Sequence, residues 1–170
     1  MKIHILRSEI WVPSPPKVVF EFFSRADNLE ALTPPWLHFS ILSPSPIEMK
    51  TGTRIRYRLR LHGIPLRWES EITAWEPPHR FVDEQRNGPY RLWIHEHQFL
   101  EHEGGTTVRD TVRYSVAGGF LVNRIFVTPD LRRIFEFRRQ KIAGIFSVRR
   151  PPRAGAPIPS TRAATRDLRS

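Results

Sequence analysis

In RLWIHEHQF, residues 91–99, two histidines stand one residue apart inside an apolar run. Three chemistries suit such a pair. Both imidazoles reach a single metal ion if Asp83 or Asp110 adds an oxygen ligand. Either imidazole serves as a general base toward a carbonyl substrate when one of those aspartates orients it. Or the pair is the polar part of a pocket wall, its hydrogen bonds satisfied by Asp83, Gln85 and Asp110. No HExxH motif and no second histidine cluster accompanies His95 and His97. The residues favour the polar network, and we expect no metal, no cofactor and no catalytic residue.

The elements around the pair decide what it faces. Residues two apart on a strand share a face, so Trp93, His95, His97 and Phe99 stand in one row. Leu92, Ile94, Glu96, Gln98 and Leu100 take the other side. In TRIRYRLRL (53–61), Ile55, Tyr57, Leu59 and Leu61 alternate with Arg54, Arg56, Arg58 and Arg60. The arginine face must be wet, so its opposite faces the core. In TTVRDTVRYSV (106–116) the same rule turns Val108, Asp110, Val112 and Tyr114 inward. From 64–75 come Trp68, Ser70 and Ile72, and from 80–86 come Phe81, Asp83 and Gln85. A packed core rarely tolerates so many ionisable groups. An aromatic-walled cavity does. The candidate lining is therefore Tyr57, Leu59, Trp68, Ile72, Phe81, Asp83, Gln85, Trp93, His95, His97, Phe99, Asp110, Val112 and Tyr114.

The rest of the chain frames this sheet. Residues 3–12 read as a first strand. SPPKVVFEFFSR follows as a short helix, with Ser14 as N-cap and Val18, Val19, Phe22 and Phe23 as its apolar stripe. Asp27 is placed to cap a second helical piece, Trp36 and Leu37 begin an extended stretch, and 39–42 form a short strand. HisGly at 62–63 marks a hairpin. Residues 120–146 form a long helical pattern that buries Leu131, Ile134, Phe135, Ile142, Ile145 and Phe146. Arg132, Arg133, Glu136, Arg139 and Gln140 lie opposite. Pro129 predicts a short leading helix before the main one, or a kink. The fold class is α+β, an antiparallel sheet with helices on one side.

Composition bounds the function. The 170 residues contain no cysteine, which excludes disulfides, thiolate zinc sites and cysteine nucleophiles. The N-terminus does not look like a signal peptide and no run has the length of a membrane span, so a cytoplasmic protein is expected. Half of the formal charge of +10 lies in residues 147–170, which are rich in Arg, Pro and Ala. We expect a domain at 1–146 and a disordered basic tail at 147–170. The tail reads as a solvated extension in preference to a nucleic-acid or membrane tether. The outer arginines, joined by Arg67, Arg109 and Arg113, likewise read as a solvated face, with Glu69 and Glu71 pairing across it.

The stretches FEFFSRADNLEALTPPWLHF (20–39), FVDEQRNGPYRLWIHEHQF (81–99), GTTVRDTVRY (105–114) and LRRIFEFRR (131–139) resemble the SRPBCC (START-like) superfamily. Within it they are most similar to the polyketide cyclase/dehydrase-like ligand-binding group. The resemblance covers nearly all of 1–146; AlaGlyGly at 117–119 stands where many relatives carry a proline. It implies a helix-grip fold, a curved antiparallel sheet wrapped around a long C-terminal helix that encloses an apolar cavity. It implies no particular reaction, since the fold hosts carriers and enzymes alike. The expected function is binding of a small hydrophobic ligand (lipid, polyketide-like or aromatic). The alternatives are a cyclase/dehydrase- or hydrolase-type enzyme using a cavity histidine with Asp110, and an interaction module using the basic face and tail. No specific nucleic-acid partner is expected, and the oligomeric state is left open.

Overall fold

The computed structural model describes residues 2–147, so the expected basic tail lies outside the described residues apart from Ser147. β1 (His4–Val12) stops before Pro13, which cannot extend a hydrogen-bonded ladder. α1 (Pro16–Phe23) begins three residues after Pro13. The expected cap at Ser14 is not formed, and Pro15 occupies the N-cap position. Pro16 forces Pro15 into an extended conformation, which moves the helix start past Ser14. Ser14 is instead buried, and its carbonyl accepts a 2.6 Å hydrogen bond from the Thr106 hydroxyl. The buried stripe of α1 is Val19, Phe20 and Phe23, with Val18 and Phe22 half-buried at its edges. Phe20, absent from the expected stripe, packs its ring against Trp75, Phe81 and Phe99.

α2 (Asn28–Ala31) follows Asp27, which holds the N-cap position without making a side-chain capping bond. Pro35–Leu37 forms a 3₁₀ turn where an extended stretch is expected, and it buries Leu37. Proline at the first position of that turn favours helical backbone angles. β2 (Ser40–Ile41) is shorter than the expected strand. β3 (Arg54–Leu61), β4 (Ile64–Glu76), β5 (Arg80–Asn87), β6 (Leu92–His102) and β7 (Gly105–Ser115) then run as an antiparallel meander. His62 and Gly63 join β3 to β4 with φ of 50° and 80°, the left-handed pair that a two-residue hairpin of matching twist requires.

The seven strands form one curved sheet in the order β1-β7-β6-β5-β4-β3-β2. The register confirms the face assignment. Tyr57 pairs with Trp68, Ile72 with Asp83, Phe81 with His97, Asp83 with His95, Trp93 with Tyr114 and His97 with Asp110. The chain closes with α3 (Gly119–Val122), one wide π-turn (Asn123–Val127) and α4 (Thr128–Ser147). Pro129 lies in the first turn of α4, directly after the π-turn, and has no N–H to donate to the preceding turn. The predicted leading helix is therefore present, and the junction is a π-turn.

α4 packs its apolar side against the concave face of the sheet. Phe20, Phe23, Phe81, Phe99, Val108, Ile142 and Phe146 belong to one buried cluster under α1. Val112, Tyr114, Leu131 and Phe135 form a second cluster. The convex face carries the arginine rows. There Arg54 bonds Glu71 at 2.8 Å and stands 3.5 Å from Glu69, as the cross-strand pairing predicts.

Candidate functional site

Between α4, α1–α2 and the concave faces of β3 to β6 lies a cavity of about 210 Å³. Aromatic residues (Tyr57, Trp68, Phe81 and Trp93) share its strand walls with aliphatic ones (Ile55, Leu59, Leu61, Leu66 and Ile72). Trp68 stacks parallel to Tyr57 at 5.9 Å and meets Trp93 edge-on at 5.3 Å. Of the predicted lining, Tyr57, Leu59, Trp68, Ile72 and Phe81 face the void, as do Asp83, Trp93, His95 and His97. The other five do not. Phe99 and Val112 are fully enclosed in the apolar clusters, and Tyr114 packs in the second cluster beside Leu131 and Phe135. Gln85 turns away to donate to the Tyr90 carbonyl at 2.7 Å. Asp110 lies one layer behind the wall, under His95 and His97. Strand alternation selects a face, but β7 is covered by α4 and contributes packing where the strands further along the sheet contribute lining.

The polar end of the cavity is a closed network. His95 Nε2 lies 3.1 Å and His97 Nδ1 2.8 Å from the same oxygen, Asp110 Oδ1. His97 Nε2 is 3.0 Å from Asp83 Oδ1, and His95 Nδ1 is 3.7 Å from it. The rings stand 3.8 Å apart. Ser70 Oγ, 3.5 Å from Asp83 Oδ2, is also contacted at 3.1 Å by Tyr57 and by the Trp68 indole.

Arg138 completes the network, and it is absent from the sequence reading. Its Nε donates to Asp110 Oδ2 at 3.2 Å, and its guanidinium lies over the Phe23 ring at 5.2 Å. Its Nη2 is 3.5 Å from His97 Nδ1, but that nitrogen cannot accept there while donating to Asp110. The shorter contact to a full carboxylate is the hydrogen bond. A signal for Arg138 was present in the sequence. Leu131, Phe135, Arg138 and Ile142 follow helical spacing, so residue 138 falls in the middle of the buried stripe.

Burial raises the cost of charge throughout the cluster, yet the partners decide the outcome. Burial alone would raise Asp110, but the Arg138 charge and the hydrogen bonds from both histidines hold it well below the usual carboxylate value. Asp83 is lowered against burial by the bond from His97 and the charge of His95. His97 is raised, because hydrogen bonds to Asp110 and Asp83 outweigh its desolvation. His95 is lowered by burial and by the neighbouring His97 charge, with Asp110 opposing only in part. The shifts favour charge on His97 over His95, and with His97 protonated the two carboxylates, Arg138 and His97 sum to no net charge. Such a set tolerates a dry site.

Residues 12–140 match the family described as polyketide cyclase / dehydrase and lipid transport. No curated protein matches the chain by sequence. Among solved structures, protein Ms6760 from Mycobacterium smegmatis aligns with a TM-score of 0.63 at 18% identity, covering 87% of this chain and 98% of that one. Ginseng major latex-like protein 151 from Panax ginseng aligns with a TM-score of 0.63 at 12% identity, covering 85% and 97%. Protein CV1439 from Chromobacterium violaceum aligns with a TM-score of 0.66 at 11% identity, covering 84% and 96%. At such identities the likeness shows the fold alone, a helix-grip architecture of curved sheet and long C-terminal helix. No helix among the described residues is long and apolar enough to cross a membrane.

Proposed function

Because the chain belongs to the polyketide cyclase / dehydrase and lipid transport family, we propose that it binds a small hydrophobic, aromatic or polyketide-like ligand in its internal cavity. The observation that carries this reading is a partly open apolar pocket, walled by aromatic and aliphatic side chains, with Asp83, His95 and His97 gathered on its wall. A few convergent polar groups in an otherwise apolar pocket orient a ligand without supplying its affinity. The size narrows the class. A dry cavity of about 150 Å³ holds a benzene molecule, and this one is about 210 Å³. A compact ligand of one or two rings suits it better than a long acyl chain.

A titration of full-length protein with 1-naphthol, followed by quenching of tryptophan fluorescence, tests the reading. Saturable one-to-one quenching is expected, weakened by about tenfold or more in Trp93→Ala, which removes a large aromatic wall. Absence of saturable binding, or binding indifferent to Trp93, refutes it.

A second reading rests on His95, a neutral imidazole on the cavity wall whose Nε2 is oriented by Asp110 at 3.1 Å. That arrangement suits a general base in a cyclase/dehydrase- or hydrolase-type reaction. His95→Gln would then retain naphthol binding and lose turnover. Retained turnover sinks the enzymatic reading and leaves the binding one intact.

A further inference from the structure

The polar end of the cavity has a second property, which does not depend on what hydrophobic ligand the cavity takes. His95, His97 and Asp83 each present one ligating atom, and these atoms lie within 4.8 Å of one another. The contacts to Asp83 Oδ1 are 3.0 Å from His97 Nε2 and 3.7 Å from His95 Nδ1. An ion with metal–ligand distances of about 2.1 Å spaces adjacent ligand atoms by about 3.0 Å in an octahedron and about 3.4 Å in a tetrahedron. The spacing is close to what an ion requires.

The back of the cluster supplies the independent argument. Metal-bound histidines donate their remaining ring N–H to a carboxylate, which fixes the tautomer and aims the free lone pair at the ion. Here both imidazoles turn their other nitrogens, His95 Nε2 and His97 Nδ1, to the single oxygen Asp110 Oδ1. Arg138 holds the second oxygen of that carboxylate. The tautomers so set leave His95 Nδ1 and His97 Nε2 on the Asp83 side of the rings, at the cavity wall. Simple neutralisation of buried histidines does not need this convergence.

We propose that Asp83, His95 and His97 bind one divalent transition-metal ion at the polar end of the cavity, with Asp110 and Arg138 as the outer support. Two imidazoles and one carboxylate, with no thiolate, suit Zn²⁺, Fe²⁺ or Co²⁺. The ion takes the place of the hydrogen between His97 Nε2 and Asp83. Its remaining positions face the cavity, where water or a ligand oxygen fills them. The sequence alone offers this ligand set without favouring it, because no HExxH motif or second histidine cluster marks it and the three ligands come from two neighbouring strands. The site departs from the expectation of no metal.

The test uses full-length protein stripped by a chelator and titrated with Co²⁺ and Zn²⁺ without any hydrophobic ligand. We expect one Co²⁺ per chain, with visible absorption bands of nitrogen coordination, displaced by Zn²⁺. Asp110→Asn is expected to weaken binding by about 10–100-fold, whereas His62→Gln, which alters an exposed histidine, leaves it unchanged. Asp83→Asn and His95→Gln are expected to abolish it. The proposal is overturned if folded wild-type protein binds neither ion, or if binding survives those two substitutions. Should the variants fail to fold, paramagnetic NMR shifts in wild-type protein decide. Large contact shifts of imidazole protons confined to His95 and His97 support the site, and such contact shifts on any other of the seven histidines refute it. Naphthol binding is scored separately, so loss of one activity does not stand in for loss of the other.

Discussion

β6 carries charged groups on both of its faces, and the two faces obey different rules. On the convex side Glu96 meets Arg80, while on neighbouring strands Glu71 meets Arg54 and Arg86. These groups keep much of their water, so their attraction is screened and contributes little to stability. On the concave side Asp110 is 3% exposed and Arg138 7%. Here an unmatched charge has no water to turn to, and each partner is required because the others are present. The same residue types therefore act as a solvating coat on one side and as a constraint on conformation on the other. A concave face built this way is held to one geometry, which is what a ligand-orienting site needs.

The largest effect that separates the faces is removal of one inner partner. Arg138→Met leaves Asp110 buried without its main counter-charge and is expected to cost about 3–5 kcal/mol, measured by urea unfolding. A change below about 1 kcal/mol, the range of exposed pairs, would make the two faces equivalent and end the comparison.

Next in size is the pH dependence of stability in metal-free protein. Asp83 and Asp110 titrate below their ordinary 3.8 in the folded chain. His95 titrates below its ordinary 6.5. For all three the unfolded chain holds protons more tightly, so stability falls as pH drops, from about 6.5 downward for His95 and from about 3.8 for the aspartates. His97 has the opposite sign. Its folded value lies above 6.5, so its contribution is complete below that pH and is lost as pH rises through the folded value. Melting temperature should therefore peak around pH 6.5, between these limbs. His97→Gln should flatten the alkaline limb. An unaltered alkaline limb in that variant would show that His97 is not the cation of the cluster.

The smallest effect belongs to the convex face. Glu71 is lowered from its ordinary value by hydrogen bonds from Arg86 and Arg54, yet its side chain stays 19% exposed and its guanidinium partners are 37% and 59% exposed. Glu71→Gln is expected to shift the melting temperature only slightly at low salt and not at all at high salt. A salt-independent loss comparable to that of Arg138→Met would mean that the convex network is as organised as the concave one.

Much of this contrast is legible in local pattern. The arginine alternation at 54–60 and the apolar alternation at 108–114 select the same concave side, and the strand register places His95 and His97 on it. Side-chain direction alternates residue by residue along a strand, so a few neighbours suffice to assign a face. The helical period similarly predicts the α4 stripe, and proline chemistry marks the ends of β1 and the start of α4.

What the chain order alone left undecided is depth. Asp110 and Asp83 look alike in sequence, each on an inward position of its strand. Only the packing of α4 over β7, and its separation from β4 and β5, puts Asp110 behind the wall and Asp83 on it. Phe99, Val112 and Tyr114 leave the lining for the same reason. The role of Arg138 is not legible locally, because burying a guanidinium is unfavourable without its partner, and that partner, Asp110, lies 28 residues away on another element. Local periodicity tells a side chain which way to point. Whether it meets a void, a ring or an opposite charge depends on distances between elements, and these exist only once the sheet has closed on the helix.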